Sequence, residues 1–386
     1  MKNFIAHTDE IREKMLQEIS CSSVDDLFKQ IPVKFKNFDM ANPLSELETQ
    51  RKIKALAKKN KTEYANFMGG GVYNKFIPAA VNYVAQRFEF LTAYTPYQPE
   101  ISQGTLQIIY EYQTMISRLT GMDIANASMY DGGSACAEAV LMAHRIAKGK
   151  KNKALISNRL NPEYKEVVKT YCWAQDIELE WFDEIPEDVS EYFAVLIQYP
   201  DYYGEITPII KPDTTLIVCA NLSALSVIEP PREADIVVGD IQPLGIPMNF
   251  GGPHAGYMAC KETYMRQMPG RLVGRTVDAD GKQAFTLTIQ TREQHIKREK
   301  ATSNICSNQS LIALSATLYL SLIGEKGFKQ TGIISANLAH ALSKMLNGKG
   351  IRTMNKNFFN EFVVEVEDAD KYLAKLKEAN ILGGIK

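Results

Sequence analysis

Short apolar runs alternate with helical patterns between about residues 125 and 265 of the chain. Most of these runs are apolar at nearly every position, and they cover residues 154–157, 177–182, 194–198, 215–219, 236–239 and 256–260. Continuous apolar strands separated by helices are typical of a mostly parallel sheet that is covered on both faces. The pattern therefore predicts a large α/β domain, and AFTLTIQ at 284–290 fits one more strand.

The segment before the sheet has a different pattern. Residues 1 to about 60 predict helices, one of which has Pro43 near its start and a capping box formed by Ser45 and Glu48. Residues 66–100 are rich in Gly, Pro, Asn and Tyr, and they predict a long ordered loop region. Loops of that length usually carry function or line an interface.

A helix is predicted for residues 102–121, because their apolar positions follow a helical period. Ser102 is its expected N-cap and Gly121 its expected stop. After residue 307 we expect two helices, and FFNEFVVEVEDADKYLAKLKEAN then predicts a strand followed by a helix.

The change of pattern predicts three parts. These are an N-terminal helical arm (1–65), a large α/β domain (66–325) and a small α+β C-terminal domain (326–386). A small sheet would need a further strand beyond ILGGIK, so we expect the last domain to be shortened.

Composition excludes several classes of protein. The 386 residues are 45% apolar and 23% charged with a net charge of −1, which argues against nucleic-acid binding. There is no unbroken apolar run of membrane-spanning length and no signal-peptide core, so we expect a cytoplasmic protein. The scattered cysteines form no CxxC pair. No metal site is predicted, and the thiols are expected to be buried and reduced.

The first candidate motif is MYDGGSACAEAVLMAHR, residues 129–145. Gly132 and Gly133 allow close approach of an anion, and Ser134 opens a helix whose first N–H groups favour phosphate. A tight turn with a Ser cap explains the same residues, so both interpretations stay open.

The second motif is TAYTPYQPEISQG, residues 92–104. Tyr94 and Tyr97 lie beside Pro96 and Pro99, which stiffen the segment and give a wall with hydroxyl groups. A binding mouth and a subunit interface fit this stretch equally well.

The third motif, TREQHIKREKATSNICSNQ at 291–309, combines a basic cluster with a polar turn. The basic side chains suit a solvated helix, whereas a polar turn that leads into a helix can hold an anion. The cluster comprises Arg292, His295, Lys297, Arg298 and Lys300. His254, which follows a Gly-Gly-Pro turn, is more simply a packed residue than a catalyst.

Together with DIQPLGIPMNFGGPHAG at 240–256, these stretches resemble the P-protein of the glycine cleavage system over nearly the whole chain. That family is the pyridoxal-phosphate-dependent glycine dehydrogenase (decarboxylating). The resemblance implies the aminotransferase-like fold type I. It also implies glycine as substrate and the lipoamide of the H-protein as acceptor.

In some bacteria the P-protein is split into two homologous subunits, and this chain is similar to the N-terminal half. Aligned with the other half, the lysine that holds the cofactor falls on Gln242, and the aspartate that binds the pyridine nitrogen falls on Val218. Neither residue can perform that chemistry. The resemblance thus implies pyridoxal 5'-phosphate bound by a partner subunit, in a heterodimer or a dimer of heterodimers.

A subunit without its own lysine is expected to lend side chains to its partner's active site. The expected contributors are Tyr94, Thr95, Tyr97, Gln98, Glu100, Gln103, His254, Lys300, Thr302, Ser303 and Asn304. Residues Gly132, Gly133 and Ser134 would be a vestigial phosphate loop. Two alternatives remain: a non-catalytic scaffold or regulator of the partner, and an independent enzyme that uses another lysine such as Lys261 or Lys211.

Overall fold

A computed structural model of the chain describes residues 7–32, 41–91 and 93–386. Residues 1–6 and 33–40 of the predicted arm, and Thr92 of the second motif, lie outside the described residues. The chain divides into two compact units, Met1–Thr62 and Glu63–Lys386.

The first unit contains two α-helices and a 3₁₀ turn. Helix α1 spans Asp9–Glu18, the 3₁₀ turn spans Val24–Phe28, and helix α2 spans Glu46–Ala57. The side chain of Ser45 accepts the Glu48 N–H, and the Glu48 carboxylate accepts the Ser45 N–H in return. The predicted capping box is therefore confirmed.

The second unit holds the remaining elements. Its helices are α3 (Ala79–Ala85), α4 (Phe88–Leu91), α5 (Gln103–Thr120), α6 (Gly132–Ile146), α7 (Pro162–Trp173), α8 (Gln294–Lys297), α9 (Ser310–Gly348) and α10 (Ala369–Glu378). Its strands are β1 (Ala65–Asn66), β2 (Ile124–Ala125), β3 (Lys153–Ser157), β4 (Glu178–Phe182), β5 (Tyr192–Tyr199), β6 (Thr215–Ala220), β7 (Ile236–Asp240), β8 (Gly256–Cys260), β9 (Leu272–Val277), β10 (Gln283–Thr288) and β11 (Ile381–Leu382).

The central sheet has seven strands in the order β2-β8-β7-β6-β5-β3-β4. The strands from β7 to β4 are parallel to one another, whereas β8 and β2 run antiparallel to their neighbours. All six predicted central strands are present within two residues of their predicted ends. The prediction of a mostly parallel sheet is confirmed.

Both faces of this sheet are buried, which explains the continuous apolar runs. Leu155, Val195, Val218 and Val237 point to one face, where α5 and α9 pack. The alternate positions of the same strands, such as Ile156 and Leu196, point to the other face and contact α6 and α7. A strand between two helical layers has no solvent face and needs no polar alternation.

Two expectations for the connecting segments need correction. Residues 66–100 are not one long loop, because they contain α3 and α4. Strand β9 was not predicted; it pairs with β10 in a separate antiparallel hairpin. The helix predicted at 102–121 is confirmed, and Gly121 ends it with a φ of 72°, the left-handed conformation that glycine adopts without strain.

The C-terminal region differs from the predicted strand and helix. Around residues 358–366 there are only isolated bridges, Glu205 with Phe358 and Thr353 with Val364, so the predicted strand there is wrong. Helix α9 contains a break at Gly324. Strand β11 pairs in parallel with β1. The predicted boundary at residue 325 stays a prediction.

Helix α9 is the one described helix that is long and apolar enough, by length and composition, to cross a membrane. Its residues Ala313, Ala316 and Tyr319 are buried against the sheet. Core helices of soluble proteins meet the same criterion, so this is weak evidence for a membrane segment.

Candidate functional site

A small cavity lies at the carboxyl ends of β5, β6 and β7, where open α/β sheets place their ligands. Its volume is about 40 Å³. One water molecule needs roughly 10–15 Å³ of such space, so the cavity has room for a few waters. Its lining residues are Gly71, Tyr73, Asn161, Tyr164, Gln198, Cys219, Ala220, Asn221, Asp240 and Pro243.

The predicted phosphate loop is the first turn of α6 and is buried. Asp131 is the N-cap: its carboxylate accepts the Ser134 N–H at 2.7 Å, and Ser134 Oγ accepts the Asp131 N–H at 3.0 Å. A Cβ on Gly132 would lie 2.3 Å from the hydroxyl of Tyr164. Glycine is required there because a tyrosine ring packs directly on the helix start.

The carboxylate of Asp240 lies against the start of α6. Its two oxygens accept the N–H groups of Gly132 at 3.2 Å and Gln242 at 2.7 Å, and His254 Nδ1 is 3.9 Å away. Burial raises the pKa of Asp240 to about 6. The place where a helix N-terminus attracts an anion thus already holds an acidic group of the chain itself, which would repel a phosphate.

Gln242, at the expected lysine position, is 1% exposed, and its side-chain amide makes three hydrogen bonds. Its Oε1 accepts the Tyr73 N–H at 2.9 Å, and its Nε2 donates to the carbonyls of Tyr73 at 2.9 Å and Ile246 at 2.8 Å. The amide therefore fixes the backbone of the 69–75 segment across the cavity. A neutral amide with these partners is not a nucleophile.

Glu361 holds the same segment from the C-terminal region. Its carboxylate accepts the Tyr73 hydroxyl at 2.6 Å and the Gly70 N–H at 2.7 Å. Burial is the main cause that raises the pKa of both Tyr73 and Glu361. Sequence reasoning missed both residues; the available signal was the glycine run 69–71.

Val218 is fully buried, and it packs in the core rather than lining the cavity. The residues at the end of the same strand that do line it are Cys219, Ala220 and Asn221. None of them is a carboxylate. The exact residue that corresponds to the family's aspartate stays a prediction, but β6 offers no negative partner for a pyridinium in either case.

The two alternative lysines lie at the other end of the sheet. Lys211 and Lys261 both contact the carboxylate of Asp235, at 2.5 and 3.1 Å, and Asp235 immediately precedes β7. Although burial by itself lowers it, the pKa of Lys261 is raised, because Asp235 accepts its hydrogen bond. Lys75 donates to Ser223 Oγ, and burial lowers its pKa to about 8, but it does not line the cavity.

These residues do not fit pyridoxal phosphate. The cavity is small, Asp240 lies at the start of α6 where a phosphate was expected, the residue at the expected lysine position is a hydrogen-bonded amide, and β6 supplies no ring partner. The expected fold does not by itself supply a cofactor site.

A second group of predicted residues lies at the surface. The structure brings the 93–103 segment against the 290–309 segment: Ser307 Oγ donates to the Tyr94 hydroxyl at 2.9 Å, and the rings of Tyr97 and His295 are 5.1 Å apart. The Tyr97 hydroxyl also accepts a hydrogen bond from buried Arg271 at 3.2 Å. Two stretches that are distant in sequence thus form one surface.

The predicted contributors divide into outward and inward side chains. Gln103 is an inward residue, since it exchanges hydrogen bonds with both backbone groups of Phe285. Ser303 donates to buried Glu138 at 2.5 Å, and Thr95 and Thr302 are half-buried. The outward residues, which are exposed, are Tyr94, Tyr97, Gln98, Glu100, Lys300 and Asn304.

Two further expectations need correction. Arg292 is not part of an exposed basic cluster, because it is buried and its guanidinium donates to the carbonyls of Met268 and Gly270. His254 does not join the surface group; it lies beside Asp240, and its buried Nε2 has no partner among the described residues.

The thiols are mostly as expected. All six cysteines are free; Cys136, Cys172, Cys219 and Cys260 are buried, whereas Cys21 is half-buried and Cys306 is exposed. Within residues 7–32, 41–91 and 93–386, no cluster of His, Cys, Asp and Glu could hold a metal ion.

Comparisons with known proteins agree with this architecture. The family model described as "Glycine cleavage system P-protein" matches residues 2–385. A relative from Geobacillus thermodenitrificans, named "Probable glycine dehydrogenase (decarboxylating) subunit 1", is 46% identical over 413 residues, which cover 100% of this chain and 91% of the relative.

Solved structures give the same result. A crystal structure of glycine decarboxylase (P-protein) of the glycine cleavage system, in inhibitor-bound form, has a TM-score of 0.86 and 39% identity, covering 98% of this chain and 91% of that one. A C-DES mutant with glycine covalently linked to its PLP cofactor has a TM-score of 0.55 at 13% identity, covering 83% and 88% of the two chains. The second match shows a shared fold alone. The predicted resemblance and fold class are confirmed.

Proposed function

The chain belongs to the glycine cleavage system P-protein family, and from this premise we propose that it is the cofactor-free subunit of a heteromeric glycine decarboxylase. A homologous partner subunit carries the lysine and binds pyridoxal phosphate. The assembled pair removes carbon dioxide from glycine and passes the aminomethyl group to the lipoamide of an H-protein. The numbering of the relatives as "subunit 1" supports a heteromer.

The observation that carries this proposal is the state of Gln242. Its amide is buried and bonded to Tyr73 and Ile246, in a cavity of about 40 Å³. Decarboxylation of an amino acid requires an electron sink at the carbon that loses carbon dioxide, and the bound cofactor supplies it. The small cavity and the engaged amide argue against binding of that group by this chain, so we assign the chemistry to the partner.

We propose that this subunit contributes to the partner's active site through the exposed surface formed by the 93–103 and 290–309 segments. Tyr94 is 78% exposed and Ile101 is 77% exposed, although large apolar side chains are more commonly buried. Exposed tyrosines are typical of interface anchors, with one apolar face and one hydrogen-bonding group. We infer that Tyr94 and Tyr97 line the glycine pocket or the channel for the lipoyl arm.

Charge supports the same surface. Lys300 and Asn304 are exposed at the turn beside it, and an ammonium group and an amide there suit an anionic or strongly polar group. Exposed Gln98 and Glu100, in the 93–103 segment, add hydrogen-bonding groups to this surface. Asp240 lines the cavity and His254 lies beside it, so we assign both to the interior of this chain rather than to the exposed surface.

A scaffold that never touches the substrate is the competing function, and the naming of the relatives as glycine dehydrogenase subunits does not favour it. Tyr97→Phe and Lys300→Ala distinguish the two. A scaffold keeps full glycine–bicarbonate exchange in both variants when the pair still assembles. If the subunit contributes side chains to its partner's active site, both variants lose exchange activity while sedimentation shows an unchanged complex.

The cofactor assignment is tested by absorbance of this chain with added pyridoxal phosphate, before and after borohydride reduction, alone and with the homologous subunit. We expect no reduced adduct on this chain and exchange activity only in the mixture. An adduct mapped to Lys75, Lys261 or another lysine of this chain, with activity of the chain alone, would overturn the proposal. The pair is proposed to act in the cytoplasm without nucleic acid or membrane, and sedimentation would decide between a heterodimer and a dimer of heterodimers.

A further inference from the structure

One buried contact joins the exposed polar turn to the core. Glu138 lies on the second turn of α6 and is 4% exposed. Its Oε1 accepts the Ser303 hydroxyl at 2.5 Å, and Ser303 Oγ itself accepts the Ile305 N–H at 3.2 Å. Ser303 therefore connects the helix to the backbone of the turn.

The surroundings of Glu138 are unfavourable for a carboxylic acid, which argues that this residue does more than fill space in the core. Burial raises its pKa, while the hydrogen bond from Ser303 and the charge of Arg145 act in the opposite direction. Its second oxygen, Oε2, has no partner among the described residues, and neither does Nε of Arg145. Buried polar atoms without partners are costly, so an apolar side chain of similar shape would give a more stable core.

Few other contacts hold the backbone within the 298–304 turn that Glu138 reaches; just after it, buried Ile305 packs in the core and the Cys306 N–H donates to the Tyr130 hydroxyl at 3.0 Å. Arg298 has φ 54° and ψ −122°, a backbone conformation that is strained for a residue with a side chain. The other tethers are the Thr302 N–H to the Arg292 carbonyl at 2.9 Å and an exposed bond between Gln294 and Asn304 at 3.2 Å. The bond from Ser303 to Glu138 is the tether that reaches the core helix.

We propose that Glu138 is a positioning residue, which acts through Ser303 to hold the 298–304 turn so that Lys300 and Asn304 face the partner subunit's active site. The inference rests on the proposed function for its consequence in catalysis. The anchor itself is a property of this chain alone, and it can be tested without the partner.

The anchor is tested by limited trypsin digestion of the isolated chain, because exposed Arg298 and Lys300 lie in the turn that it holds and exposed Lys297 immediately precedes that turn. Glu138→Gln keeps an acceptor for Ser303, whereas Glu138→Met has a similar shape and no such acceptor. We expect roughly five- to tenfold faster cleavage at these three residues in Glu138→Met and near wild-type cleavage in Glu138→Gln, as loss of one hydrogen bond implies. Equal cleavage in all three proteins would overturn the anchor.

Ser303→Ala provides a second route if Glu138→Met folds poorly, since it removes the donor from a half-buried position. It should accelerate cleavage to a similar degree, and the double variant should be no faster than either single one. Additive effects would show that the two side chains act independently, and they would overturn the inference.

Positioning is tested by glycine–bicarbonate exchange with the partner subunit. Glu138→Met and Ser303→Ala should lower kcat/KM while sedimentation shows an unchanged complex. Glu138→Gln should keep kcat/KM near the wild-type value. Faster trypsin cleavage with unchanged exchange would overturn the positioning role. If Lys300→Ala alone leaves exchange unchanged, the failure belongs to the proposed function of the turn, and the trypsin result still decides the anchor.

Discussion

Replacement of Asp240 by Asn tests whether this buried acid takes the place of an anion at the start of α6. The Asp240 carboxylate accepts two backbone N–H groups, from Gly132 and Gln242, yet burial outweighs them and raises its pKa to about 6. His254, 3.9 Å away, and Asp131 also face it; the charge of His254 lowers the pKa and that of Asp131 raises it. Asn keeps the shape and one acceptor but cannot ionise.

The magnitude follows from the difference between the folded and unfolded chain. Between pH 3.8 and about 6 the folded Asp240 keeps a proton that the unfolded chain has lost. The stability from this group is therefore present in acid and is lost as the pH rises through about 6. Since one pKa unit corresponds to about 1.4 kcal/mol, ionised Asp240 costs on the order of 3 kcal/mol of folding free energy at neutral pH.

The assay is urea unfolding of wild type and Asp240→Asn at a series of pH values, followed by circular dichroism. The unfolding free energy of Asp240→Asn, relative to that of wild type, should rise by about 3 kcal/mol from acid to neutral pH. Asp188→Asn is a control of opposite sign, because the Ser190 N–H lowers the pKa of that exposed carboxyl. Parallel pH curves for wild type and Asp240→Asn would refute the reasoning about the anion position.

Three further predictions concern the cavity, the start of α6 and the alternative lysine. Gln242→Lys should not form a reducible adduct with pyridoxal phosphate, and a yellow, reducible protein would show that the cavity opens more easily than its volume implies. Gly132→Ala should lower the free energy of unfolding by about 1–3 kcal/mol, because its methyl group meets Tyr164. Gly104→Ala, a helical position with nothing within 4 Å, should instead raise it by about 0.5–1 kcal/mol; equal effects in denaturant melts would contradict the packing argument. Lys261→Met should leave exchange activity with the partner subunit unchanged, and a loss of activity would reopen the search for a second lysine.

The apolar pattern was sufficient for the central sheet because strands between two helical layers are apolar over most of their length; the edge strand β4, with Glu178 and Glu180, is the exception. The runs that became β3 to β8 are continuous in sequence, so their length and flanking helices specified them. The hairpin of β9 and β10 was harder, since β9 is exposed over half its length and its pairing depends on a partner further along the chain. The short helices α3 and α4 lie in a stretch that is rich in proline and aromatic residues, and local sequence patterns assign such a stretch to a loop.

For the candidate site, the sequence by itself determined which chemistry is missing. The absence of a lysine at position 242 follows from one residue and a resemblance, and it holds regardless of packing. The sequence did not predict which residues occupy the cavity where a cofactor would be expected. Tyr73, Asp240 and Glu361 are far apart in sequence, and they meet only because the parallel strands end at one edge and the C-terminal region folds over it.

Tertiary structure alone also decided which way the predicted surface residues face. Tyr94 and Lys300 point outward, whereas Gln103 and Ser303 point inward to Phe285 and Glu138. All four have hydrogen-bonding side chains and lie outside the long helices and strands or at their ends, where no periodicity of apolar positions fixes a direction. Direction in such segments is set by long-range hydrogen bonds, which form only when the core has already brought both partners together.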